Sequence, residues 1–267
     1  MRAAFSFVLL ALTATSAFAS PLEARASGYK LLSDGTKGTV EGKAADFGAT
    51  YHASTFLSQQ GCSSTALISK CYTAKLPSSG ELETKDHRPW ILGGVGSKQR
   101  AVLITPAITV STPTVIHRFK IHLSTSFTKI PKGEVVTLAA FHNADSTVGA
   151  FSLFALEAKT WTGEETSGTY IYLNAVDKDT GASFPIQYPG FADGRTIEFT
   201  FSFTTTGTTV SSRVVETGES STSQHFTAVA IAQGAKHAIT LGPARNPVKG
   251  SQALKVWFGD YVASQQE

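Results

Sequence analysis

From about residue 101 onward the chain runs in short blocks of β-branched and aromatic residues separated by Gly, Pro, Asp and Asn. Alternation within the blocks is clearest in 196–204, where Ile197, Phe199, Phe201 and Phe203 fall on one side and Thr196, Glu198, Thr200 and Ser202 on the other. A period of two with one apolar side marks a strand that buries one face and leaves the other wet. The same reading predicts strands at Ala101–Ile104, Thr114–Ser124, Val135–His142, Ala150–Ala158, Thr169–Asp177, Thr196–Thr204, Val210–Glu216, His225–Ala232, Ala238–Leu241 and Leu254–Val262. Between them Pro131-Lys132-Gly133, Asp179-Thr180-Gly181, Pro189-Gly190, Asp193-Gly194 and Thr206-Gly207 supply turn chemistry. Many short strands with no long amphipathic helix between them imply an all-β, antiparallel sandwich or jelly roll. Residues 28–100 alternate weakly, and with no linker-like composition after them they read as the first strands and long loops of the same domain.

Composition narrows this picture. The 267 residues are 42% hydrophobic and 16% charged with a formal charge of +3. That is too apolar for intrinsic disorder, and its scattered basic residues do not make the clustered face a nucleic-acid binder needs. Arg2, the apolar run from Phe5 to Leu12 and Ala17-Phe18-Ala19 have the layout of a secretory signal peptide over 1–19, with 20–27 a candidate pro-segment and 28–267 one β-sandwich domain. The apolar run is shorter than the ~20 residues a bilayer needs, and no later run is long enough, so the expectation is an extracellular, secreted product with no membrane partner. Cys62 and Cys71 are the only cysteines, and in an oxidising compartment an even pair is most simply a disulfide. No Asn-x-Ser/Thr sequon occurs.

Strand parity locates candidate surfaces. Along 114–124, Val115, His117, Phe119, Ile121 and Leu123 share one face, and Ile116, Arg118, Lys120 and His122 share the other. Basic groups in a row repel unless an anion or an acidic side chain lies over them, so this face is either a ligand surface or a solvated exterior. On the last predicted strand Lys255, Trp257, Gly259 and Tyr261 share one parity. An exposed Trp–Tyr pair beside a lysine suits stacking on sugar rings. Tyr170, Tyr172 and Asn174 make a similar polar-aromatic set. Both sets fit a core equally well.

The stretch Phe119–Leu156, with Phe141-His142-Asn143 and Gly149-Ala150-Phe151-Ser152-Leu153, and the closing Leu254 to Tyr261 resemble the concanavalin A-like lectin/glucanase jelly roll. The resemblance covers roughly 101–262 and lies in strand rhythm. Within that superfold Arg118-Phe119-Lys120, Ala140-Phe141-His142 and Gly259-Asp260-Tyr261 resemble, in order, the basic strand, the Gln-Ile-His strand and the Gly-x-Tyr strand of the alginate and glucuronan lyases. That likeness implies β-elimination on a uronic-acid polymer, with Tyr261 and His142 as the acid–base pair and Arg118 and Lys120 on the carboxylate. His122, Tyr170, Tyr172, Asn174, Lys255 and Trp257 would complete the substrate surface. Ala140 stands where the lyases carry Gln, so the amide that polarises the carboxylate is missing. No convergent carboxylate pair of the glycosidase kind and no G-x-S-x-G elbow is present. No cofactor or metal is expected. Calcium is often seen in lectins of this fold, and Asp177-Lys178-Asp179 could offer it oxygens, though a D-x-D in a turn is usually a solvated turn.

Three functions stay open on the sequence: a monomeric module contacting polysaccharide through a concave sheet face, a polysaccharide lyase, and a non-catalytic secreted structural or interaction protein. Convergence of Arg118, His142 and Tyr261 in one cleft would distinguish the second.

Overall fold

The computed structural model describes residues 30–59, 62, 65–78, 99–124, 130–131, 133–143, 149–157, 169–175, 194–221, 224–226 and 231–267; within these, the side chains of 142–143, 149–157, 169–175, 224 and 226 are not described. The signal-like segment, the candidate pro-segment and Asp177-Lys178-Asp179 lie outside the described residues. So do the side chains of His142, Tyr170, Tyr172 and Asn174.

Among the described residues all regular structure is β, in two eight-stranded sheets. Sheet A takes β1 (Lys30–Asp34), β4 (Phe56–Gln59), β5 (Cys71–Leu76), β16 (Leu254–Gln266), β8 (Thr114–Leu123), β12 (Thr196–Thr204), β13 (Gly207–Val214) and β14 (Gln224–Phe226), in that order. Sheet B runs β11 (Thr169–Ala175), β10 (Gly149–Glu157), β9 (Val136–Asn143), β15 (Lys236–Arg245), β6 (Gln99–Ile104), β3 (Thr50–Ala53) and β2 (Val40–Lys43), with β7 (Ile108–Thr109) paired to β15. Pairing is antiparallel throughout. The predicted strands from 101 onward recur with shifted ends. Residues 30–104 add β1 to β6, distributed over both sheets, which is why that region has no boundary from the rest.

The alternation of the sequence becomes the two faces of sheet A. Val115, His117, Phe119, Ile121 and Leu123 of β8 and Ile197, Phe199, Phe201 and Phe203 of β12 are buried between the sheets. There they meet sheet B directly: the Phe141 ring of β9 lies 4.4 Å from Phe201 and 5.1 Å from Phe203, centroid to centroid. Burying rings of this size supplies the dominant driving force, roughly 1.5–3 kcal/mol for each side chain taken out of water.

One charged pair is also buried. Arg245 donates to Glu134 through Nη1, to Gln99 Oε1 through Nε at 2.9 Å, and to the carbonyls of Pro77 and Gln252 at 2.7 and 2.9 Å. Ser251 donates to the other Glu134 oxygen. A buried ion pair is tolerable only when its remaining donors and acceptors are filled in this way, and this one ties β15 to β6 and three connecting segments.

Candidate functional site

Sheet A has an outer face, turned away from sheet B, that carries Arg118, Lys120 and His122 as their parity requires. Their circumstances differ along the strand. Arg118 is exposed, Lys120 is partly covered and His122 is only 2% exposed. What covers the last two is the segment 65–70, held over the sheet by a short chain of contacts. Lys120 Nζ donates to Asp260 Oδ2 at 3.0 Å and to the Leu67 carbonyl at 3.2 Å. His122 Nδ1 lies 3.0 Å from Thr196 Oγ1, which accepts from the Leu67 amide at 2.9 Å. The acidic side chain that a row of basic groups calls for is therefore Asp260. Lys120 is occupied by it and is not the free carboxylate clamp that the lyase likeness implies.

Asp260 can do this because of a bulge in β16. Gly259 pairs with Lys120 and Val262 with Arg118, so Asp260 and Tyr261 together oppose the single residue Phe119. Asp260 adopts φ 47°, a conformation Asp tolerates better than most residues. Its carboxylate accepts the amides of Ser69 and Lys70 at 2.7–3.0 Å. Burial raises the Asp260 pKa, but these amides and the Lys120 ammonium outweigh it, and the net result lies below the usual carboxylate value. Glycine is required at 259 because a Cβ there would stand 1.8 Å from the Lys70 carbonyl oxygen.

The bulge also inverts the parity read from the sequence. Trp257 stays on the outer face, paired with His122, but Tyr261 turns inward among the core residues. The Trp257–Tyr261 pair expected on one surface does not form. Nor is Trp257 an open stacking platform: it is 7% exposed, packs against Ala66, Ile68, Cys62 and Cys71, and meets His122 edge to face at 5.2 Å. The Cys62–Cys71 disulfide, with its Cα atoms 5.6 Å apart, closes the loop that covers it. Lys255 lies against the same ring, its ammonium 4.3 Å from the centroid.

Inside, the Tyr261 hydroxyl is 2.9 Å from His117 Nδ1, and His117 Nε2 is 2.9 Å from His237 Nδ1. Burial pushes the Tyr261 phenol up to about 12 against a hydrogen bond from Thr105. Burial, then the neighbouring His237, pushes the His117 imidazole down to about 3. Both groups are neutral at physiological pH. A pocket of about 270 Å³ lined by Phe47, Pro106, Ile108, Tyr261 and Ala263 reaches the tyrosine from one side.

The three residues assigned to catalysis are thus distributed. Arg118 and Tyr261 leave sheet A on opposite faces, and the backbone of His142 belongs to β9 of sheet B, paired with Ala238. Sequence parity shows which residues share a strand face, and it carries no information on which sheet a strand joins. The His117–His237–Tyr261 cluster was hidden for the same reason, since His117 reads as one more core position of its strand.

No family model matches the sequence, and no curated relative matches it. Among solved structures, a doubly substituted form of the family 7 alginate lyase A1-II′ in complex with substrate superposes with a TM-score of 0.50 at 9% identity, covering 89% of this chain and 92% of that one. This chain shares that enzyme's jelly-roll fold. An alginate lyase from Klebsiella pneumoniae gives 0.49 at 12% identity over 77% of this chain and 86% of the other. A GH131 β-glucanase catalytic domain from Podospora anserina gives 0.48 at 10% identity over 91% and 87%.

The jelly roll leaves one continuous polar surface on sheet A. In direct register across β8, β12 and β13 stand Arg118, Thr200 and Ser211, and beside them Lys120, Glu198 and Arg213. Ser202 and Thr209 extend the strip, and His225 on β14 ends it. Apart from Lys120 and its Asp260 partner, these are hydroxyls and charges in contact with solvent, with Arg118, Arg213 and His225 the most open. The alternation of β12 places Glu198, Thr200 and Ser202 on its polar side; β13 adds Thr209, Ser211 and Arg213. Among the described residues no group of three His, Cys, Asp or Glu side chains is arranged to hold a metal ion.

Proposed function

We propose that the chain is a secreted carbohydrate-active protein that contacts extracellular polysaccharide through the outer face of sheet A over β8, β12 and β13, without an acid–base pair at that face. The observation that carries this reading is the cross-strand register of Arg118, Thr200 and Ser211 beside Glu198 and Arg213, all outside the segment 65–70 that covers Trp257. Strands about 4.8 Å apart hold these donors and acceptors on a rigid lattice. Such a lattice suits a polymer of hydroxyls, where many modest hydrogen bonds add up and guanidinium groups contribute paired donors. An alginate lyase shares the fold, and polysaccharide is the ligand class that likeness suggests. Secretion is supported by the signal-like N-terminus and by the disulfide.

Isothermal titration of a panel of soluble polysaccharides, neutral and acidic, tests the reading. At least one should bind, and Arg118→Ala and Arg213→Ala should each weaken it about tenfold, the equivalent of about 1.4 kcal/mol. No binding across the panel, or full affinity in both variants, would remove the function from this face.

A further inference from the structure

Sheet A carries a second set of cations that the polar strip does not use. Lys75 of β5 and Lys255 of β16 are directly paired in antiparallel register. Direct partners have their Cβ atoms roughly 5 Å apart, and like charges in that position repel. Each lysine is laid against a ring. The Lys75 ammonium is 4.5 Å from the centroid of Phe56 and the Lys255 ammonium 4.3 Å from that of Trp257. Ring faces attract cations but carry no net charge, so the pair keeps its two positive charges.

Both lysines line one pocket of about 360 Å³, whose walls include Phe56, Leu76 and Leu254. The carboxylate at its rim, Asp34, is turned to its own chain: it accepts from the Thr36 amide at 2.9 Å and the Thr36 hydroxyl at 2.7 Å. Among the described residues neither ammonium has a carboxylate at ion-pairing distance. Burial, and then the neighbouring Lys75, hold the Lys255 ammonium below its usual pKa.

We propose that Lys75 and Lys255 form an anion subsite that takes a single carboxylate or sulfate group between the two ammonium groups, with the apolar body of the ligand against Phe56. One oxyanion between them would offset the repulsion of the two paired cations. The subsite lies on the same sheet as the polar strip, so if its ligand is a polysaccharide the inference rests on the function proposed above; the anion site itself does not.

The test is titration of the whole protein with inorganic sulfate and with acetate, at constant ionic strength, followed by NMR of the lysine side-chain resonances. Sulfate or acetate should shift Lys75 and Lys255 together. Lys75→Gln and Lys255→Gln should each weaken the anion at least tenfold, and both should leave affinity for a neutral polysaccharide unchanged. Sulfated and carboxylated dextrans then separate the two ligand chemistries. Equal anion affinity in the wild type and the double variant, or no shift of the two lysines, overturns the subsite. If neutral polysaccharide still binds in that case, the proposed function stands without it. If sulfate binds and no polysaccharide does, the subsite stands and the function fails.

Discussion

Tyr261 and His117 share a 2.9 Å hydrogen bond on the inner side of sheet A, between neighbouring strands β16 and β8. A tyrosine that would have stood on the outer face had β16 been regular is instead part of the core, joined through His117 to His237. Each neutral imidazole donates one hydrogen and accepts one, so both ring nitrogens of His117 are partnered within the protein, one by Tyr261 and one by His237.

Tyr261→Phe should therefore act on stability. Removing the hydroxyl leaves a buried ring nitrogen of His117 without its partner, at a cost of about 1–3 kcal/mol. Urea denaturation should show a lower midpoint at an unchanged slope. An unaltered midpoint would mean that the hydrogen bond contributes nothing.

The same cluster makes a pH prediction. His117 titrates near 3 in the folded protein and near its ordinary 6.5 when unfolded. Between those values the unfolded chain binds the extra proton, so stability rises with pH across the window and is lost as pH falls below about 6.5. The slope from this group approaches ~1.4 kcal/mol per pH unit. Denaturant midpoints measured from pH 7.5 to 5, where carboxylates still contribute little, should fall steadily below 6.5. A flat profile would show that His117 is not held neutral.

Asp260 pins segment 65–70, and Asp260→Ala should release it. Hydrogen exchange at the amides of Ser69 and Lys70, which donate to that carboxylate, should quicken at least tenfold, for a loss of about 1–3 kcal/mol. Asp260→Asn keeps an acceptor and the tolerance for positive φ, and should fall between. Unchanged exchange in the alanine variant would contradict the latch.

Reducing the disulfide loosens the same cover. In the chain-entropy picture a loop this short is worth roughly 2–3 kcal/mol, so a Cys62→Ser, Cys71→Ser variant should fold with lower stability and exchange faster over 65–70. Two alkylatable thiols in the unreduced native protein would contradict the bond itself.

These expectations show what alternation can and cannot convey. The strands of 101–262 and the buried side of β8 and β12 follow from period-two patterning, because a half-buried strand has no other way to satisfy both faces. Tyr261 was misplaced because a bulge changes parity without changing composition; Gly259-Asp260 is only a faint sign of one. Alternation leaves Trp257 open between surface and core for a different reason. Its cover, the disulfide loop, lies almost two hundred residues away in sequence, and no local pattern carries a contact of that range. Lys75 leaves no such sign, because β5 is short and buried at five of its six positions, which erases its alternation.

The central claim is that ligand contact belongs to the outer face of sheet A and that Tyr261 belongs to the core. It is tested most directly by measuring polysaccharide affinity and unsaturated-uronide formation at 235 nm for wild type, Arg118→Ala and Tyr261→Phe on one panel of neutral and acidic polymers. The account predicts about tenfold weaker binding in Arg118→Ala, wild-type affinity in Tyr261→Phe, and no gain of absorbance with any of the three proteins. Turnover by the wild type that Tyr261→Phe abolishes, with binding intact in Arg118→Ala, would contradict it and move the site to the inner pocket.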